Sequence, residues 1–396
     1  MRQLHAIQSA LISSHIDGWL LYNFRAGNPI ASGLLALPEN AMQSRRYFYC
    51  IPAVGTPQKL VHRIESTTLD SLAGDKTVYS GWRDMEHALT TMLRPYSTIA
   101  MEYSPRNAIP YVSYVDAGTL ECIKELGVQV VSSADLVQYC YARWTPEQWA
   151  GHCEAGTHLI EVVQQAFAAI AAHVRRKEPF TEWDVQQFLL REFAARNLVC
   201  DHPPNCSVNQ HSADPHYMPT PESALEIQEG DFVLIDLWAK QRTTGAVYAD
   251  YTRTGYVGQA VPEKYSRIFD VVRTARDSVV DFLHSRLAAN QPVHGWEADD
   301  VCRAVITERG YGEYFVHRTG HSIGENVHGW GANLDHLETR DERRLIPETG
   351  FSIEPGIYLP GDFGVRTEIN AFIAADNTLH ITGTPLQTEI FPILAR

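Results

Sequence analysis

The stretch 317–370 concentrates the residues of this chain that could do chemistry. It contains HRTGHSIGENVHG, then ETGFSIEPGIY, then GVRTEIN. His321, His328, Glu354 and Glu368 stand there beside glycine, proline or β-branched neighbours. Imidazoles and carboxylates together suit divalent ions such as Mn²⁺, Zn²⁺ or Co²⁺. Glu354 closes the apolar run Phe351-Ser352-Ile353, and Pro355-Gly356 follows it. Val365-Arg366-Thr367-Glu368-Ile369 alternates as a strand does, which puts Arg366 and Glu368 on one face. Acids on buried strands are unfavourable without a partner. A metal cation would be such a partner, and the rest of the chain must then supply further ligands.

Upstream, Phe232-Val233-Leu234-Ile235 reads as a buried strand ending in Asp236. A loop follows, and then a second strand segment, 248–254, which carries Asp250. The two acids should come from neighbouring arms of a hairpin. The polar loop 207–217 adds His211 and His216. In chain order the candidates are His216, Asp236, Asp250, His321, His328, Glu354, Arg366 and Glu368. Taken singly, each reads as well as a cap, a turn residue or a solvated strand residue. His211 reads as an ordinary loop histidine.

The elements that must hold these groups fall into two regions. A chain of 396 residues exceeds the size at which one core usually divides. Residues 1–143 alternate strands (18–22, 46–51, 59–62, 98–102, 128–131) with helical segments near 84–92 and 120–126, an α/β pattern. Residues 144–396 begin with a helix start: Thr145 can cap, Pro146 suits the first turn, and Gln148 completes a capping box. Ile160, Val163, Phe167, Ile170 and Val174 keep one apolar face of that helix. Further amphipathic helices are predicted from Thr181, over 262–283 and over 297–308. Four helices on one face of a curved sheet make the second region α+β.

Composition narrows the classes. Hydrophobic content of 44% and charged content of 20% are ordinary for a globular chain. A net charge of −14 argues against a nucleic-acid partner, which requires a basic stripe. The seven cysteines are scattered without a CxxC pair, which reads as reduced thiols in a cytoplasmic protein. The N-terminus lacks the pattern of a signal peptide, and no apolar run reaches the ~18 residues that span a membrane.

Five motifs in order resemble the creatinase/prolidase-like ("pita-bread") metallopeptidase family. They are Pro215-His216-Tyr217, Ile235-Asp236, the run Ala249-Asp250-Tyr251-Thr252-Arg253-Thr254, Gly320-His321-Ser322-Ile323-Gly324 with Val327-His328, and Glu354-Pro355-Gly356 with Arg366-Thr367-Glu368. The resemblance implies a pita-bread catalytic domain with a curved antiparallel sheet, behind a creatinase-type α/β domain. It implies two divalent ions, Mn²⁺ first and Zn²⁺ or Co²⁺ as alternatives, held by Asp236, Asp250, His321, Glu354 and Glu368, and no other cofactor. His216 and His328 would contact substrate and the developing oxyanion, Glu354 would shuttle a proton, and Arg366 would orient a bridging carboxylate. The residue types agree: four crowded carboxylates raise one another's pKa, and two divalent ions remove the conflict. The expected activity is hydrolysis of the bond before proline in Xaa-Pro dipeptides by a hydroxide bridging the two ions. The alternatives are an Xaa-Pro aminopeptidase acting on longer peptides and, in another class, a catalytically inactive interaction module. A homodimer is expected on the same ground. One departure stands out. Leu237-Trp238 follows Asp236 where many relatives have glycine two residues on, and the segment 237–249 is long and polar. Its Lys240, Gln241, Arg242, Thr243 and Thr244 either fold over the cleft, with Arg242 or Arg366 pairing a substrate carboxylate, or face solvent and leave the cleft open.

Overall fold

The computed structural model describes residues 4–38 and 42–395. Its contacts divide the chain into Met1–Tyr141 and Ala142–Arg396. In the first unit, α1 (Leu4–Ser13), β1 (Gly18–Asn23), α2 (Pro29–Leu34), β2 (Tyr47–Pro52), β3 (Gln58–His62), β4 (Asp75–Tyr79), α3 (Trp82–Leu93), β5 (Thr98–Met101), α4 (Ala117–Glu125), β6 (Gln129–Ser132) and α5 (Ala134–Val137) follow in order. The strands form a mixed sheet in the order β4-β3-β2-β1-β5-β6. β4 is absent from the sequence reading: four of its five residues are exposed, so no apolar alternation marks it. It is held by parallel pairing to β3. Leu20, Phe48, Leu60, Leu89, Ile99 and Ile123 form the core between this sheet and its helices.

The second unit opens with α6 (Pro146–Arg176) and α7 (Glu182–Ala195), both started by capping boxes, Thr145 with Gln148 and Thr181 with Asp184. Then come β7 (Leu198–Val199), β8 (Asn205–Val208), β9 (Phe232–Gln241), β10 (Ala249–Tyr256), α8 (Glu263–Ala288), α9 (Gly295–Glu308), β11 (Ser322–Ile323), β12 (Thr349–Ile353), β13 (Gly356–Tyr358), β14 (Gly364–Arg366), β15 (Ile369–Ile373), β16 (Leu379–Thr382) and β17 (Phe391–Pro392). One sheet runs β17-β10-β9-β7 with β8 also on β9, a second runs β11-β12-β15-β16, and β13 pairs β14.

The alternation along β9 and β10 decides what faces the site. Val233, Ile235, Leu237 and Ala239, with Ala249 and Tyr251, join the core under α6 and α7. Phe232 and Leu234 turn the other way, into the core under α8 and α9. Asp236, Trp238 and Lys240 continue that second face beyond the apolar pair. A fully buried aliphatic side chain contributes roughly 1.5–3 kcal/mol, so a one-residue slip, which would exchange the faces, is strongly disfavoured. No helix among the described residues is long and apolar enough to cross a membrane.

Two local expectations are corrected. The strand does not end at Asp236; it runs on to Gln241, because Leu237 and Ala239 still have a core to fill. The alternating run around Arg366 is not one strand either. β14 ends at Arg366 and β15 begins at Ile369, and between them the Glu368 N–H donates across to Thr252 O at 3.3 Å.

Candidate metal centre

Asp236 and Asp250 lie on the hairpin β9–β10, where Asp236 faces Thr252 and Trp238 faces Asp250. His321 immediately precedes β11, which pairs antiparallel with β12. The approach there is close: a Cβ on Gly320 would stand 2.0 Å from Ser352 O, so only glycine fits. Ser352 Oγ accepts the His321 N–H at 2.9 Å and donates to Glu354 Oε1 at 3.0 Å, aligning ligand candidates from two strands. Glu368 follows β14 in the two-residue break before β15. Asn370 fixes the last junction, accepting the Asp250 N–H at 2.9 Å and donating to Asp250 O at 2.8 Å.

The result is a buried cluster of acids. Asp250, His321 and Glu368 each bring a ligand atom within 4.8 Å of the others. His321 Nε2 is 3.5 Å from Asp250 Oδ2 and 3.3 Å from Glu354 Oε1. Arg366 pairs with Asp236 and lies 4.0 Å from Glu354 Oε2. Thr252 Oγ1 is the hub: it accepts from Arg366 Nε at 2.9 Å and sits 2.9 Å from Asp236 Oδ1 and 3.0 Å from Glu368 Oε2. Its single proton can serve only one of those carboxylates at a time. Arg366 Nη1 also donates to the Tyr358 hydroxyl at 3.2 Å, and that hydroxyl is 2.8 Å from His317 Nε2.

The electrostatics match this crowding. Burial, then the charges of Asp236 and Glu354, push Asp250 well above the usual carboxylate range. Burial, then Asp250, Glu354 and Asp236, do the same to Glu368. Burial opposes ionisation of Glu354 too, but His321, Arg366, His317 and Arg318 together hold it below its ordinary value. Burial lowers His321, and the neighbouring His321 imidazole, then burial, lowers His328. Both are therefore neutral imidazoles near pH 7, each with one lone pair for a metal ion and one N–H to donate.

The residues present fit a divalent cation. Asp250 Oδ1 and Glu368 Oε1 are buried and accept no hydrogen bond from any described residue. Buried oxygens without a donor are rare in folded chains and need a partner. Asp236, Asp250, Glu354 and Glu368 crowd together there, and Arg366 pairs with Asp236 and lies near Glu354. A doubly charged ion answers both deficits.

Seven of the eight candidates belong to this neighbourhood; His328 stands at its edge, its ring 4.4 Å from that of His321 and at 81° to it. His216 is exposed on the segment after the turn at Asn209–Ala213, its N–H bonded to Asp214 Oδ1. His211 is tied to the buried Glu182 at 3.0 Å and stacks on Tyr217, which agrees with a structural loop role. Thr252, Ser352, Asn370, Tyr358 and His317 were missed. Thr252 had a signal, since it shares the strand face of Asp250 two residues away. The polar run after Asp236 is tied down by its neighbours. Lys240 donates to Glu325 O and lies 4.8 Å above the Tyr248 ring, and Gln241 donates to Glu154. Arg242 is exposed six residues beyond Asp236, about 20 Å along an extended strand. Arg366 is engaged by Asp236, Thr252 and Tyr358, so neither arginine is poised for a substrate carboxylate.

An α+β unit with a carboxylate–imidazole centre, preceded in the chain by a separate α/β unit, is the arrangement of a class of metallopeptidase. Residues 157–375 match the metallopeptidase family M24, and the chain belongs to that family. It is 35% identical over 187 residues to an Xaa-Pro dipeptidase of Lactobacillus helveticus; the match covers 46% of this chain and 45% of that protein. The dipeptidase PepE of Mycobacterium ulcerans has the same fold, with a TM-score of 0.71 at 22% identity over 99% of this chain and 97% of that one. A prolidase from Thermococcus sibiricus superposes with a TM-score of 0.65 at 20% identity over 99% and 98%. The fold is thus the pita-bread prolidase fold.

Proposed function

We propose that this chain hydrolyses the peptide bond preceding proline, in Xaa-Pro dipeptides first, with two divalent ions held by Asp236, Asp250, His321, Glu354 and Glu368. The observation that carries the reading is the pair of buried oxygens without donors, Asp250 Oδ1 and Glu368 Oε1, beside His321. Such ions, when bound, neutralise the crowded carboxylates, polarise the scissile carbonyl and lower the pKa of water. Mn²⁺ is our first assignment, with Zn²⁺ or Co²⁺ as substitutes. Arg366 holds Asp236 in place, and Thr252 holds Arg366. Glu354, with one oxygen on Ser352, takes the proton of the attacking water and returns it to the leaving proline nitrogen. His328 donates to the oxyanion from beside His321, and His216 does so from its exposed segment. We place the chain in the cytoplasm, in keeping with its free cysteines, and expect a homodimer from the family resemblance.

Cleavage of longer Xaa-Pro peptides is the second reading. It is favoured by one observation: Arg366 already has its partners, so a dipeptide's terminal carboxylate finds no guanidinium waiting there. Product analysis of Mn²⁺-loaded protein with Ala-Pro and Ala-Pro-Ala separates the two. Release of proline from Ala-Pro with the higher kcat/KM supports the dipeptidase; faster turnover of Ala-Pro-Ala supports the aminopeptidase. Cleavage of neither would sink both.

A further inference from the structure

Trp238 stands where the sequence departs from glycine, and the fold gives it a task. It lies on the same strand face as Asp236 and is the cross-strand partner of Asp250. Its indole N–H donates to Asp201 Oδ1 at 3.1 Å. Asp201 gets there through β7, which pairs antiparallel with the far end of β9, Leu198 opposite Gln241 and Val199 opposite Lys240. The chain then runs back along β9 towards Trp238. The same Asp201 oxygen accepts the His202 N–H at 3.0 Å. Both partners are neutral donors. They fix the carboxylate without neutralising it, and Asp201 remains exposed. Lys240, the next residue on that face, is turned to Glu325 O and the Tyr248 ring. Trp238, opposite Asp250 on the hairpin, thus links Asp201 to the strand pair that carries the acids.

We infer that Asp201, held by Trp238, anchors a primary ammonium group on the substrate residue preceding the scissile bond. The inference rests on the proposed peptidase reading. A fixed carboxylate loses little freedom on binding, the bond it forms is charge-assisted, and an indole face beside it adds attraction for a cation. The ammonium can be the free α-amine or a lysine side chain, and the two are separable.

Binding is read first, by calorimetry on the full chain with L-alaninamide, Nα-acetyl-L-lysinamide and Nα-acetyl-L-alaninamide. The first carries only the α-ammonium, the second only the side-chain ammonium, and the third neither. At least one of the first two should bind wild type, and Asp201→Asn should weaken it roughly ten- to a hundredfold, as loss of a charged hydrogen bond implies. Trp238→Phe should weaken it less, and the third ligand should not distinguish the proteins. Equal binding to wild type and Asp201→Asn, or no binding of either amine, overturns the inference whether or not Xaa-Pro peptides are cleaved. On metal-loaded protein, Asp201→Asn should raise KM for Ala-Pro or Lys-Pro while kcat and metal content hold. A variant that loses metal along with activity would make Asp201 a structural support only. A wild type that binds the amine yet cleaves no Xaa-Pro peptide would instead reject the proposed function.

Discussion

Buried acids in the two units show opposite solutions to the same problem. Glu102, at the end of β5, is fully buried in the first unit. Its Oε1 accepts from the Trp19 indole at 2.6 Å and the Ser133 hydroxyl at 3.2 Å, and its Oε2 from Asn28 Nδ2 at 2.7 Å. Burial still pushes it up to about 7 against those three bonds. Asp250 and Glu368 in the second unit are as deeply placed, but each keeps an oxygen with no donor. Neutral donors close the first site. The second gathers further carboxylates instead, an arrangement that suits a cation. The number of donors therefore distinguishes the two kinds of buried acid, where burial alone does not.

The comparison can be broken most sharply at the metal. Asp250→Ala or Glu368→Ala should leave fewer than two ions per chain and peptidase activity at background, whereas Glu102→Gln should change neither. Elemental analysis of protein purified without chelator reads this directly. Two ions retained in the Asp250 or Glu368 variant would end the assignment.

A smaller loss is expected at the edge of the centre. His328→Ala should keep the metal content and lower kcat by roughly 10²–10³, the usual effect of removing one oxyanion donor. If metal falls in step with activity, His328 is a ligand and its role as a donor is wrong.

The smallest effect belongs to Glu102 and concerns stability. Its folded pKa, about 7, lies above its ordinary value near 4.5. The stabilisation is therefore complete below about pH 4.5 and is lost as pH rises through about 7. The difference corresponds to about 3 kcal/mol. Chemical unfolding at pH 5 and pH 8 should show wild type losing roughly 2.5 kcal/mol more than Glu102→Gln over the interval. Parallel pH profiles for the two proteins would show that Glu102 does not titrate there.

Much of the site was legible because its signals are local. Thr145-Pro146 with Gln148 states a helix start whatever surrounds it. HSIG followed by His328, and Glu354 followed by Pro355-Gly356, place chemistry at strand ends through short spacings. The misses were not local. Thr252 became a hub through Arg366 and Glu368, more than a hundred residues away. Nothing in a polar run from Lys240 to Thr244 reveals that its first side chain is taken up by Glu325 and Tyr248.

By itself, the sequence determined where the capped helices begin and the types of groups brought together, because capping and residue chemistry act over a few residues. Tertiary structure decided which oxygens found donors. It saturated Glu102 through Trp19, Asn28 and Ser133, and left Asp250 Oδ1 and Glu368 Oε1 bare. It also turned Trp238, an anomaly in the sequence, towards Asp201. Hydrogen-bond saturation depends on which distant segments meet, and only the packed chain sets those meetings.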